Sequence, residues 1–212
     1  MLNLIKVSLG GIAQFLIGTS SWVFLMRMVA EFGTEVLAGY TIAIRIMLFT
    51  LMPSWGMSNA AATLVGQNLG AKKPERAETS VWKTGKYNAY FMGIVSIIYL
   101  FFAHDLVALF NDNPVVIENG GLCLQIIAIG YIFYAYGMVV TQAFNGAGDT
   151  GTPTKINLVA FWMFQLPFAY LAAITFKLGA MGVFIAITAA EVLLAIISII
   201  WFKKGNWKKV QV

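Results

Sequence analysis

Three ionisable side chains lie inside long apolar runs of this sequence: Arg45, Glu118 and Glu191. A charge at the centre of a bilayer costs about 3 kcal/mol or more, so such a residue turns to a protein interior or a wet cavity, or gives up its charge. Glu191 is the deepest, in the middle of the run from Leu178 to Phe202. Two roles are open to it: a proton or cation site, or a structural partner for an arginine or for backbone groups freed by a kink. Glu118 stands one turn inside the run that opens at Pro114, where a carboxylate meets the positive end of a helix dipole. Arg45 falls a few turns into the run from Leu37 to Leu69.

Other chemistries find few residues to use. There is one His and one Cys, and no His-Glu-x-x-His, paired-Cys or Gly-x-Ser-x-Gly pattern, so neither an enzyme nor a metal site is expected. His104, beside Asp105, reads as an interfacial residue, and Cys123, in an apolar run, as a small core thiol. The glycine-rich stretch after Asn145 could offer backbone N–H groups to an anion, but it lacks the lysine of a phosphate-binding loop. Polar uncharged residues are more informative. Ser21 and Trp22, then Asn59 beside Ser54 and Ser58, then Tyr131, Tyr134 and Gln142 are candidates to line a cavity for amphiphilic compounds. Each could equally serve as a hydrogen bond between helices.

The elements that must position these residues follow from composition. The 212 residues are 59% hydrophobic and 11% charged, against about a quarter charged in soluble domains. That excludes disorder, a disulfide scaffold and a soluble nucleotide-binding fold. A crossing takes about 20 apolar residues. Six runs qualify, at about 4–30, 37–69, 83–103, 114–144, 153–176 and 178–202. None alternates with period two, and all exceed the length of a barrel strand, so the expected class is all-α: a polytopic membrane protein of six transmembrane helices. Turn-forming clusters separate the runs. Pro53 is the expected kink of the second, Gly146 and Gly148 the expected hinge between fourth and fifth, and Thr152-Pro153 the expected start of the fifth, as N-cap and first helical residue.

Charge sets the orientation. With the N-terminus inside, Lys6, Lys72, Lys73, Arg76, Lys83, Lys86, Lys155, Lys203, Lys204, Lys208 and Lys209 fall on the cytoplasmic side, eleven of the 14 basic residues. Arg27 and Lys177 fall outside. Both termini are therefore expected in the cytoplasm, in a multi-pass protein of the cell membrane. The net charge of +5 reflects this bias rather than a nucleic-acid surface, and the lipid bilayer is the expected partner. A copy paired with itself would have to be parallel.

Two strings are more specific than composition. The stretch Pro53-Ser-Trp-Gly-Met-Ser-Asn-Ala-Ala-Ala-Thr-Leu-Val-Gly-Gln-Asn-Leu-Gly-Ala71, followed by Lys-Lys-Pro-Glu-Arg-Ala77, resembles the signature of MATE (multidrug and toxic compound extrusion) transporters at the end of a lobe's second helix. Gln142-Ala-Phe-Asn-Gly-Ala-Gly-Asp-Thr-Gly-Thr-Pro153 resembles the family's signature after a lobe's fourth helix, and Pro167-Phe-Ala-Tyr170 its fifth-helix continuation. The resemblance covers essentially the whole chain. It implies a secondary antiporter of two six-helix lobes that exchanges Na⁺ or H⁺ for small amphiphilic, often cationic, compounds. This chain has length for one lobe. Its ending, Trp201-Phe-Lys-Lys-Gly-Asn-Trp-Lys-Lys209, resembles the family's C-terminal end, so residues 1–212 are expected to form the C-terminal lobe. Met1 could begin an excised lobe, a truncated reading frame or a true half-transporter.

The departures bear on mechanism. One branch of the family holds a cation with a Glu in this lobe's first helix and an Asp in its fourth. Here the first run carries no acid up to Trp22, and the corresponding part of the fourth carries tyrosines such as Tyr134. No cofactor is expected, and the coupling site is expected in the missing N-terminal lobe, the expected partner unless a parallel homodimer replaces it. Two alternatives stand: a lipid or polysaccharide flippase of the same superfamily, and a non-transporting half-transporter or remnant.

Overall fold

The structure is a computed structural model that describes residues 2–209, with side chains for 8–208, so Lys6 and Lys209 of the charge count lie outside the described side chains. Six long helices follow one another: α1 (Leu2–Ala30), α2 (Thr34–Gly70), α3 (Pro74–Ala108), α4 (Pro114–Gly146), α5 (Gly151–Thr175) and α6 (Ala180–Lys203). A 3₁₀ turn, Asn206–Lys209, closes the described chain. No strand occurs among the described residues. The protein is an all-α polytopic membrane protein, as the six apolar runs require.

Helical periodicity decides which faces meet. On α2 the buried residues Tyr40, Ile44, Met47, Leu51, Ser54, Ser58, Ala61 and Val65 recur every three or four positions and form one stripe. That stripe packs on α4 and α3, while α4 also packs on α6, which makes α4 the centre of the bundle. Asn88 and Ser96 of α3 donate to the Ala135 and Ala128 carbonyls of α4 at 3.1 and 2.7 Å, while Asn88 Oδ1 and the Tyr131 hydroxyl stay buried without a hydrogen-bond partner.

α1 is attached differently. Its residues Gly10, Gln14, Ile17, Ser21 and Phe24 form one face turned to α5 and the turn before it. The Gly10 carbonyl accepts from Thr154, Gln14 exchanges amide hydrogen bonds with Asn145, and the Ile17 carbonyl accepts from the Trp162 indole. Ser21 Oγ donates to Gln165 Oε1 at 2.8 Å with both side chains buried, and Phe24 meets Trp162 edge to face. α1 is thus fastened by polar contacts spaced along its length and, toward its C-terminal end, by Leu25 and Val29 buried in the core.

Three sequence expectations change. The third helix starts at Pro74 and ends at Ala108, beyond the apolar run of 83–103, because a helix continues through the headgroup zone once Pro74 has started it. The fifth span is not a plain α-helix: Leu158–Gln165 and Leu171–Thr175 are π-helical. Pro167 has no N–H for the preceding turn and its ring crowds the carbonyl four residues back, which wider turns accommodate. That helix also starts at Gly151, and the group that caps its first turn is Asp149, which accepts from Thr152 N at 3.1 Å and Thr152 Oγ1 at 2.6 Å.

The residues expected to bend the chain have defined places. α2 runs on through Pro53 without a break in its helix. Gly148, at φ 80°, ends α4 in a left-handed cap, with Gly148 N bonded to Asn145 O and Asp149 N to Phe144 O, each at 3.0 Å. Gly146 lies against the backbone of Ala62, and a Cβ there would run into the Ala62 carbonyl. After α6 the chain folds back. Trp207, fully buried, stacks on Phe202 with centroids 4.6 Å apart, and Lys208 Nζ lies 2.6 Å from Glu78 and 3.1 Å from Glu75 of α3. Hydrogen bonding to these carboxylates, Glu78 first, holds the Lys208 ammonium above its usual pKa.

The Gly146 contact yields a direct test. Gly146→Ala should destabilise the detergent-solubilised protein by about 1–3 kcal/mol, the range for overpacking, and lower its thermal midpoint. Gly56→Ala, on a face with open space, should leave it unchanged.

Candidate functional site

Glu191 lies eleven residues into α6, about 16 Å along the axis and near the middle of a 30 Å hydrocarbon core. It lines a cavity of about 20 Å³ with Ile187 and Thr188 of α6, Ile127, Gly130 and Tyr134 of α4, Met47 of α2 and Trp22 of α1. Three residues singled out from the sequence, Trp22, Tyr134 and Glu191, therefore meet, brought from three helices. No ion pair or hydrogen bond engages the Glu191 carboxylate among the described residues. Thr188 spends its hydroxyl proton on the Ile126 and Phe184 carbonyls, at 3.1 and 3.3 Å.

Trp22 also lines a second space, a groove of about 200 Å³ between α1 and α2. Thr19, Val23 and Met26 form its α1 side, and Tyr40, Thr41, Ile44 and Arg45 its α2 side. Arg45 lies eleven residues into α2, at a depth similar to that of Glu191, and is exposed. Trp22 is thus a wall common to a small, acidic cavity and a wider groove bearing a cation.

The groove belongs to a wider open face. On α1, Ile12, Phe15, Leu16, Thr19, Val23 and Met26 are exposed along one stripe. On α2, Arg45, Phe49, Met52, Gly56, Asn59 and Thr63 are exposed at spacings of three and four. α3 presents a different surface, with Ile94, Ile97, Ile98, Leu100, Phe101 and Phe102 all exposed and all apolar, as lipid demands. The α1–α2 face, by contrast, puts a guanidinium and a carboxamide at membrane depth.

The remaining candidates are dispersed. Ser21 is buried on Gln165 and lines neither space. Tyr131 is buried in the core against Tyr99, with ring centroids 5.5 Å apart. Gln142 accepts from Asn145 at 2.9 Å, in the network that holds α1. Asn59 stands on the open face, whereas Ser54 and Ser58 turn to the core. Glu118 is exposed and 3.4 Å from His104, at the end of the bundle where α4 begins. The sequence reading did not single out Gln14 and Gln165, which hold α1. A lone glutamine in an apolar span is the signal that could have found each, since its amide must have a partner there.

These positions lie in a chain with close relatives of known family. A family model described as MatE matches residues 12–171. The probable multidrug resistance protein NorM of Thermotoga maritima is 29% identical over 177 residues, covering 84% of this chain and 38% of that protein. The probable multidrug resistance protein YoeA of Bacillus subtilis is 24% identical over 212 residues, covering 100% of this chain and 43% of that protein. The bundle superposes on a solved MATE in the straight conformation with a TM-score of 0.89 at 23% identity, covering 98% of this chain and 47% of that one. It also matches an outward-facing multidrug resistance MATE family transporter of the MOP superfamily, with a TM-score of 0.90 at 13% identity. The chain spans less than half the length of these relatives, and by its match over three quarters of its residues it belongs to the MatE family of membrane transporters.

Proposed function

We propose that this chain is one lobe of a multidrug efflux antiporter, which exchanges Na⁺ or H⁺ for small amphiphilic, often cationic, compounds when a second lobe covers its α1–α2 face. The observation that carries the reading is the exposure of Arg45 and Asn59 on one face at membrane depth, whereas the exposed residues of α3 between Ile94 and Phe102 are all apolar. Facing lipid, Arg45 would be disfavoured by about 3 kcal/mol or more. Facing a second lobe across a water-filled cleft, it is not. The relatives' length supports the same reading, since each exceeds this chain by about one further lobe. The groove of Trp22, Tyr40 and Met26 is then a wall of the substrate cleft, with flat aromatic and soft methionine surfaces suited to varied amphiphiles.

Arg45 also favours a second reading. A cation on that wall would attract an anionic amphiphile, such as a lipid headgroup, as a flippase requires.

One assay separates these readings. Pump-deficient cells should export a fluorescent cationic dye when this chain is expressed with an N-terminal MATE lobe, and Arg45→Ala should keep or raise that export. Efflux from the chain alone would establish a parallel homodimer. Export confined to an anionic fluorescent lipid, and lost in Arg45→Ala, would establish the flippase.

A further inference from the structure

Glu191 is a half-buried carboxylate at mid-membrane depth with no partner among the described residues, and it lines a small cavity rather than the wider groove. We propose that it is a proton-binding site of this bundle, which takes up and releases one proton and which Trp22 screens from the groove. The use of this proton in transport rests on the transporter reading above, but the site itself does not.

Three observations carry the proposal. The first is the missing counter-charge. Arg45, at a similar depth, lines the groove and not the cavity, so the structural ion pair that could have explained Glu191 is not made. The second is size. A volume of about 20 Å³ holds about one water molecule. The oxygen ligands around it are the Glu191 carboxylate, the Tyr134 hydroxyl and the Thr188 hydroxyl, with apolar groups from Trp22, Met47, Ile127 and Ile187 elsewhere. Hard cations collect about six oxygen ligands, more than the four oxygens these three side chains hold, whereas a proton needs one. The third is the wall itself. Trp22, on α1, is the residue shared by cavity and groove.

The step is a simple acid dissociation. Protonated Glu191 is a neutral acid that tolerates the largely apolar cavity. Water that reaches the cavity past Trp22 takes the proton: the carboxyl O–H breaks, and the proton leaves on that water while the new carboxylate is hydrated. Among the groups facing Glu191, α4 contributes one titratable side chain, Tyr134, while α1 and α2 contribute Trp22 and Met47, which do not ionise. α5 brings no ionisable side chain to the cavity, and Arg45 faces Trp22 from the groove side.

Infrared difference spectroscopy of the full 212-residue chain in liposomes tests the site without any transport. The wild-type chain should show a carboxylic-acid carbonyl band that titrates with pH as one proton, is absent from Glu191→Gln, and keeps its midpoint when choline is replaced by Na⁺. Trp22→Ala should speed hydrogen–deuterium exchange of that acid at least tenfold. Glu191→Asp, which keeps the acid, should keep a titrating band and guards against a Gln variant that fails to fold. A spectrum with no Glu191-dependent band at any pH would overturn the proposal. So would a midpoint that falls with rising Na⁺, which would make this a cation site. Failure of dye export with the band intact would overturn only the transport reading.

Discussion

Every polar group inside a bilayer needs a partner, and most of this structure is a set of answers to that requirement. The backbone is satisfied within six helices. On the α3–α4 seam, Asn88 and Ser96 find carbonyls of the neighbouring helix. Along α1 the same requirement becomes the means of attachment, because Gln14, Ser21 and Trp162 each find a partner only while α1 lies against α5 and the turn that precedes it. The amide pair Gln14–Asn145 also ties α1 to the capped end of α4, so one network joins three elements.

Asn88 Oδ1 and the Tyr131 hydroxyl stay buried and unpaired, and two ionisable groups, which carry the functional argument, also lack a partner among the described residues. Arg45 is left facing outward, and Glu191 is left facing a cavity too small for more than about one water. They sit at similar depth on helices α2 and α6, yet Trp22 stands between the spaces they line. An arrangement in which opposite charges at one level stay unpaired is destabilising unless each has another use. A second lobe across the α1–α2 face gives Arg45 a polar cleft, and a bound proton gives Glu191 neutrality. Both uses converge on α1, which bears Trp22 and half of the open face.

Much of this was legible in the sequence, for identifiable reasons. Apolar runs separated by turn formers are enough to place six spans. Helical steps of 100° already put Asn59 on a different face from Ser58, one residue away. The limits are equally physical. Apolarity marks where lipid is, not where a helix stops, so α3 extends nine residues before its apolar run. Pro167 signals a disturbed fifth span but not the π-helical turns that absorb it. Trp22, Tyr134 and Glu191 were each recognisable as unusual, but their meeting depends on how α1, α4 and α6 pack. No single-helix periodicity encodes that. The burial of Trp207 against Phe202 likewise depends on a chain reversal after α6.

The claim on which the rest turns is that the α1–α2 face is covered by another lobe and the α3 face by lipid. Single cysteines placed at Phe15, Met52 and Asn59 on the first face, and at Ile97 and Phe101 on the second, test it by cross-linking in membranes that also contain an N-terminal MATE lobe. The buried native Cys123 leaves the pattern clear. Cross-links from 15, 52 and 59 to the partner lobe, with none from 97 and 101, are the predicted result. Equal cross-linking from both faces, or cross-linking from the α3 face alone, would contradict it.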